Sequence, residues 1–127
     1  MREITDHKVN GLNEALAVQA LDDPGQGGAS HVYLVFADER KVKTAPGVTI
    51  HHTIQFQNGA IQEHGVNGIS GEALLAVNID RLRSFQSGPF SCRENAVALT
   101  HLETAMMWLQ KRTRDRMARG VEGTSQK

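Results

Sequence analysis

The stretch "SFQSGPFSCREN", residues 84–95, decides how the second half of the chain folds. Gly88-Pro89 ends any helix arriving from upstream, because proline lacks a backbone donor and restricts the residue before it. "SCRE" (91–94) then reads as a capping box, with Ser91 accepting near Glu94 while Glu94 reaches back. Before the break, Leu75, Ile79 and Leu82 recur at i, i+4 and i+7, and Ser70 is placed as N-cap. After it, Leu99, Leu102, Met106 and Leu109 follow at 3-4-3 spacing, and nothing interrupts the helix before Gly120. A glycine there is a C-terminal stop. The spacing predicts helices over residues 70–86 and 91–119, joined as an αα-hairpin, with the tail VEGTSQK frayed.

Upstream the period changes to two. "VTIHHTIQFQ" (48–57) puts Val48, Ile50, Ile54 and Phe56 on one face and Thr49, His51, Thr53 and Gln55 on the other. His52 alone intrudes on the apolar face. "HVYLVFA" (31–37) is an apolar run of strand length. Asn58-Gly59 and Asn10-Gly11 are both read as two-residue hairpin turns, which makes "LNEALAVQAL" (12–21) a strand despite its helix-forming residues. The fold class is therefore α+β. A β-rich part made of antiparallel sheet or hairpins (1–64) precedes a helical hairpin (65–127), and the two make one compact unit. "DDPGQGGAS" (22–30) is irregular, and taken alone it is an ordinary surface loop.

Length and charge bound the function. A chain of 127 residues can bury a core without staples, and the single Cys92 excludes an internal disulfide framework. The N-terminus has no apolar run of the signal-peptide kind, and no stretch reaches the ~18 apolar residues of a membrane span. Fourteen basic side chains balance fourteen acidic ones, so a general grip on DNA or on anionic lipid is not expected. The charge is nevertheless uneven. "KRTRDRMARG" (111–120) sets Lys111, Arg112, Arg114, Arg116 and Arg119 against Asp115 alone.

Stepping about 100° per residue from Leu109 puts Leu102, Ala105, Met106, Ala98 and Asn95 within about 60° of it. Arg116 falls at about 340° and Arg112 at about 300°, on the packing stripe or its edge, whereas Lys111 and Arg114 point away. Two arginines at i, i+4 make a fork suited to a diphosphate, and equally to an interface carboxylate. Spacing alone leaves both readings open. Asn95 and Arg112 stand roughly 25 Å apart along one helix, so both can touch one small ligand only if a second, antiparallel chain supplies one of them. No histidine or cysteine spacing fits a metal, no G-x-S-x-G or phosphate loop is present, and Cys92 has no evident base. A binder is favoured over an enzyme.

The segments "GVNG", "EALLAVNIDRL", "FQSGPFSCRENAVAL" and "WLQKRTRDRMARGVEGT", within residues 65–124, resemble the helical hairpin of phage anti-defence sponge proteins. These comprise the anti-CBASS sponges and the first described class of Thoeris anti-defence proteins. "KVNGL", "DDPGQGGASH" and "IQFQNGAIQEHGVNG" are similar to the Thoeris type. The resemblance implies a protein of the infected bacterium's cytoplasm that captures glycocyclic ADP-ribose intact, with no cofactor and no catalysis. It implies homodimers, often hexamers as trimers of dimers, and in some members further sites for cyclic di- and trinucleotides. By position it implies Phe85 stacking on adenine, Asn95 bonding ribose or base, and Arg112 and Arg116 on the diphosphate. It also implies that Gly27 and Gly28 offer backbone N–H groups.

Overall fold

The computed structural model describes all 127 residues, and they divide into two compact units. One comprises Met1–Gly59 with His64–Ile69, the other Ala60–Glu63 with Ser70–Lys127. The α+β class holds: a four-stranded antiparallel sheet forms in the first unit and a helical hairpin in the second. No helix is long and apolar enough to cross a membrane.

The sheet runs β1 (Arg2–Ile4), β2 (Leu16–Ala20), β3 (Val32–Ala37) and β4 (His51–Gln55), each strand beside the next. The apolar run 32–37 is the reason β3 is central, since strands pair along both its edges. Its register puts Tyr33 opposite Ile54 and Val35 opposite His52. Those residues therefore share a face, as the alternation predicts. Phe56 meets Tyr33 edge-on, with ring centroids 5.7 Å apart. Small residues fill the tightest positions: Ala15, Ala17, Ala20 and Ala37 are buried.

Two turn readings are corrected. Asn10-Gly11 is not a hairpin turn. Asn10 is an N-cap whose side-chain oxygen accepts from the Asn13 N–H at 3.0 Å, and α1 (Gly11–Ala15) follows before β2. An extended asparagine ahead of helix-forming residues satisfies an orphan donor, and local helix propensity wins over the strand expected at 12–15. Asn58-Gly59 likewise does not return the chain as a hairpin. Gly59 has a positive φ of 86°, but α2 (Ile61–His64) comes next, and residues 67–69 return parallel to the end of β4.

Side chains hold that return in place. Asn67 accepts from the Asn58 N–H at 2.8 Å and donates to the Asn58 carbonyl at 2.8 Å. Gln57 accepts from the Asn67 N–H at 2.9 Å and donates to Gly65 O at 2.7 Å. Ile69 bonds on both sides, donating to Gln55 O and accepting from the Gln57 N–H, each at 2.9 Å. Gly68 lies so close that a Cβ there would run into the Phe56 carbonyl and within 2.6 Å of the Gln55 oxygen. Because backbone rather than a flexible side chain is in the way, Gly68→Ala is expected to cost about 2 kcal/mol. Urea denaturation followed through the Tyr33 environment measures it.

In the second unit α3 (Gly71–Gln86) and α4 (Arg93–Ala118) form the predicted hairpin. Ser70 caps α3 by accepting from the Ala73 N–H at 3.1 Å. The α4 cap differs from expectation. Cys92, not Ser91, is the N-cap, and its Sγ accepts from the Asn95 N–H at 3.4 Å. The Gln86 amide clamps the Cys92 backbone on both sides, at 3.0 and 3.1 Å, and this turn position puts Sγ where a capping oxygen usually sits. Ile79 is the buried centre of the pair, flanked by half-buried Leu75, Leu82, Leu99, Leu102 and Met106. Arg83 reaches across to Glu103 at 2.7 Å.

The tail is not frayed. Gly120 adopts φ 73° as the stop, with Val121 N–H bonded to Arg116 O at 3.0 Å and Gly120 N–H to Met117 O at 3.1 Å. That pair of bonds is a Schellman motif, and Val121 is buried beyond it. The Gln62 N–H donates to Gly123 O at 3.0 Å, and Ser125 donates to Glu63 at 3.2 Å.

Candidate functional site

The helical unit holds four of the residues expected to bind, and it treats them differently. Arg116 is only 7% exposed. Its Nε donates to Glu122 at 3.1 Å, one terminal nitrogen to Val121 O at 2.9 Å and Thr124 O at 3.0 Å, and the other to Gln126 O. The wheel placed Arg116 on the packing face, and that is where it lies. What meets it is its own tail, so four of its five donors are engaged within the chain.

Arg112, one turn earlier, is exposed and makes no hydrogen bond or ion pair within the chain. It lines an open pocket of about 580 Å³ with Trp108, Lys111, Asp115, Arg116, Arg119 and Lys127. Lys111 is held by Asp115 at 2.7 Å. Trp108 is 66% exposed at i−4 from Arg112, so an aromatic face adjoins an uncommitted guanidinium. Such a pair is suited to an anion that carries a ring. Sequence reasoning did not bring Trp108 into this pocket. The i, i+4 spacing was the available signal.

Phe85 ends α3 with 39% exposure, and the Arg81 guanidinium stands 5.5 Å from its ring centroid. Arg81 steadies the ring while a face remains open for stacking. Asn95 lies in the first turn of α4, half-buried. Phe85 and Asn95 flank the hairpin turn, whereas Arg112 and Arg116 occupy the far end of α4. One chain does not bring the two pairs together.

Gly27 and Gly28 belong to the sheet unit. Their φ values of 74° and 81° are open to glycine at little cost, and residues 23–29 are all exposed. The Gly28 N–H is already bonded to Gly25 O at 2.9 Å. Asp22 fixes the loop's ends: its carboxylate accepts from the His31 N–H at 2.9 Å and the Val32 N–H at 3.0 Å. Those bonds, Val32's first, hold the Asp22 carboxyl below its ordinary value of 3.8. A carboxyl lowered by folding stabilises the fold above its unfolded pKa and loses that contribution as pH falls through the lower folded value. Acidification below about pH 4 should therefore loosen residues 22–32, and Asp22→Asn should remove that pH dependence. The His31 and Val32 amide resonances report both.

The family described as "Acb2/Tad1, hairpin domain" matches residues 49–114, just over half of the chain, from the sheet's last edge through most of α4. A Bacillus phage SBSphiJ7 protein named "Thoeris anti-defense 1" is 56% identical over 75 residues, covering 59% of this chain and 53% of that protein. The chain thus spans about half the length of that relative. The match includes Phe85, Asn95 and Arg112, the exposed or half-buried ring, amide and guanidinium of the hairpin. On this evidence the chain belongs to the Acb2/Tad1 hairpin-domain family.

Proposed function

We propose that this protein is a phage anti-defence sponge, acting in the infected cell, that captures a cyclised ADP-ribose messenger and holds it intact. The observation that carries the reading is Arg112: an exposed guanidinium without a partner in its own chain, in a cation-lined pocket beside Trp108. The name and 56% identity of the phage relative supply the biological setting. Glycocyclic ADP-ribose matches the chemistry, with an adenine for an aromatic face and a diphosphate for arginine.

The working unit is a homodimer. Asn95 and Arg112 lie roughly 25 Å apart along α4, so one chain offers Phe85 and Asn95 while the other brings Arg112 to the same ligand. Two equivalent pockets result. Base stacking on Phe85 and charge-assisted bonds from Arg112 supply the affinity a sequestering protein needs. Arg116 contributes by shaping the pocket wall through the tail it holds. Cyclic di- and trinucleotides are proposed as second ligands at separate sites. Phe85→Ala should weaken messenger binding by about 1–3 kcal/mol, read by calorimetric titration, as loss of one stacked base does. Unchanged affinity would remove Phe85 from the site.

A further inference from the structure

Half-buried Gln86 ends α3 beside Phe85, and its side chain reaches across the hairpin turn to the start of α4. The Cys92 N–H donates to Gln86 Oε1 at 3.0 Å, and Gln86 Nε2 donates to the Cys92 carbonyl at 3.1 Å. A primary amide carries donor and acceptor side by side, so it serves both backbone groups of one residue. The same carbonyl accepts the first bond of α4, from the Ala96 N–H at 3.1 Å. Gln86 therefore grips the residue on which the first turn of α4 is built, and Asn95 lies in that turn.

The grip matters because the cap is weak. Oxygen acceptors from Ser, Thr, Asp or Asn are the usual N-caps, whereas sulfur accepts poorly. The 3.4 Å contact from the Asn95 N–H to Cys92 Sγ leaves that N–H loosely held. No hydrogen bond within the chain engages the Asn95 side chain, which is open to a ligand only where the turn beneath it stays put. We propose that Gln86 is a positioning residue for messenger capture: acting through Cys92, it fixes the Asn95 amide relative to the Phe85 ring before the ligand arrives. A group fixed in advance loses less freedom on binding, so the clamp raises affinity without touching the ligand. The inference rests on the pocket proposed above, of which Phe85 and Asn95 form one side.

The two groups depend on Gln86 unequally. Phe85 sits in the last turn of α3, where the Gly88 N–H donates to its carbonyl at 3.2 Å and Arg81 stands over its ring. Those contacts survive the loss of the Gln86 side chain. Asn95 has no such second support, because the first N–H groups of a helix lack intrahelical partners. Removing the clamp should free Asn95 and leave Phe85 in place.

The test is a pair of double-mutant cycles read by calorimetric titration with glycocyclic ADP-ribose. Gln86→Leu keeps the bulk of the side chain and loses both bonds, and it should weaken binding by about 10-fold. In an Asn95→Ala background the same change should cost less than about 2-fold, whereas beside Phe85→Ala it should still cost about 10-fold. Adding Cys92→Ser to Gln86→Leu gives the Asn95 N–H an oxygen cap and should regain about 3-fold. In the free protein, amide exchange at Cys92 and Asn95 should quicken in Gln86→Leu while that of Leu82 stays unchanged. Unchanged affinity, or an equal loss with and without Asn95, would overturn the inference, the second outcome leaving Gln86 a stability residue only. The messenger reading fails separately: a wild type that binds no glycocyclic ADP-ribose, while Gln86→Leu still frees the Cys92 and Asn95 amides, keeps the clamp on Asn95 and loses the ligand.

Discussion

Arg116→Ala should destabilise the helical unit by about 3 kcal/mol and release residues 121–127 from α4. Nearly buried, the guanidinium bonds three tail carbonyls and the Glu122 carboxylate. Removing it leaves those carbonyls without their donor. Glu122 is 42% exposed, so water covers much of its loss and the ion pair itself counts for little. The larger share comes from the bonds to Val121, Thr124 and Gln126, together with the opened space around Val121. Hydrogen exchange of residues 121–127 should rise toward unprotected rates, and urea denaturation should give the free-energy change. Arg116→Lys should recover less than half of it, since one compact ammonium cannot span four acceptors. Unchanged protection of the tail would mean that the Schellman turn and Gln62 hold it without Arg116.

The opposite profile is expected one turn earlier. Arg112→Ala should leave stability within about 0.5 kcal/mol of wild type, because the side chain has no partner in its own chain. Messenger binding should fall by at least about 100-fold, the equivalent of losing two charge-assisted hydrogen bonds to a diphosphate. Subunit mass must be measured alongside, since the proposed pocket is shared between two chains. At a protein concentration that keeps the dimer assembled, the loss belongs to the ligand contact. Equal affinity in the assembled mutant would move the diphosphate elsewhere. The two arginines therefore separate cleanly: one should change stability, the other capture.

Periodicity made much of this legible. Leu75, Ile79 and Leu82 against Leu99, Leu102 and Met106 located the helical hairpin, and Gly88-Pro89 and Gly120 set its turn and its stop. Alternation along residues 48–57 sorted the faces around Tyr33, although the strand itself covers only His51–Gln55. Where reading by residue type went astray, one local signal supported two structures. Asn-Gly serves a hairpin turn and a helix entry alike, and only the pairing partners decide. At Asn10 the next residues could form a turn of helix, and at Asn58 the Asn67 side chain fixed a different return.

The candidate site was less legible, for a related reason. A helical wheel ranks angles, and it correctly put Arg116 toward the packing side. It could not show that the tail supplies the acceptors, because Val121, Thr124 and Gln126 contribute backbone carbonyls, which no side-chain pattern reveals. The wheel also merged two faces of α4 into one. Leu109 and Ala105 were grouped with Leu102, yet Leu102 is half-buried while Leu109 and Ala105 remain exposed. That difference separates the face turned to α3 from the exposed face on which Trp108 and Arg112 stand together.

The most direct measurement is calorimetric titration of the full chain with glycocyclic ADP-ribose, followed by denaturation and chromatography of the released ligand. A sponge with two pockets per dimer predicts nanomolar binding, roughly −12 kcal/mol, near one ligand per chain, and recovery of the ligand unchanged. Recovery of a linear product would make the protein an enzyme, and the absence of heat at any concentration would contradict the proposed ligand outright.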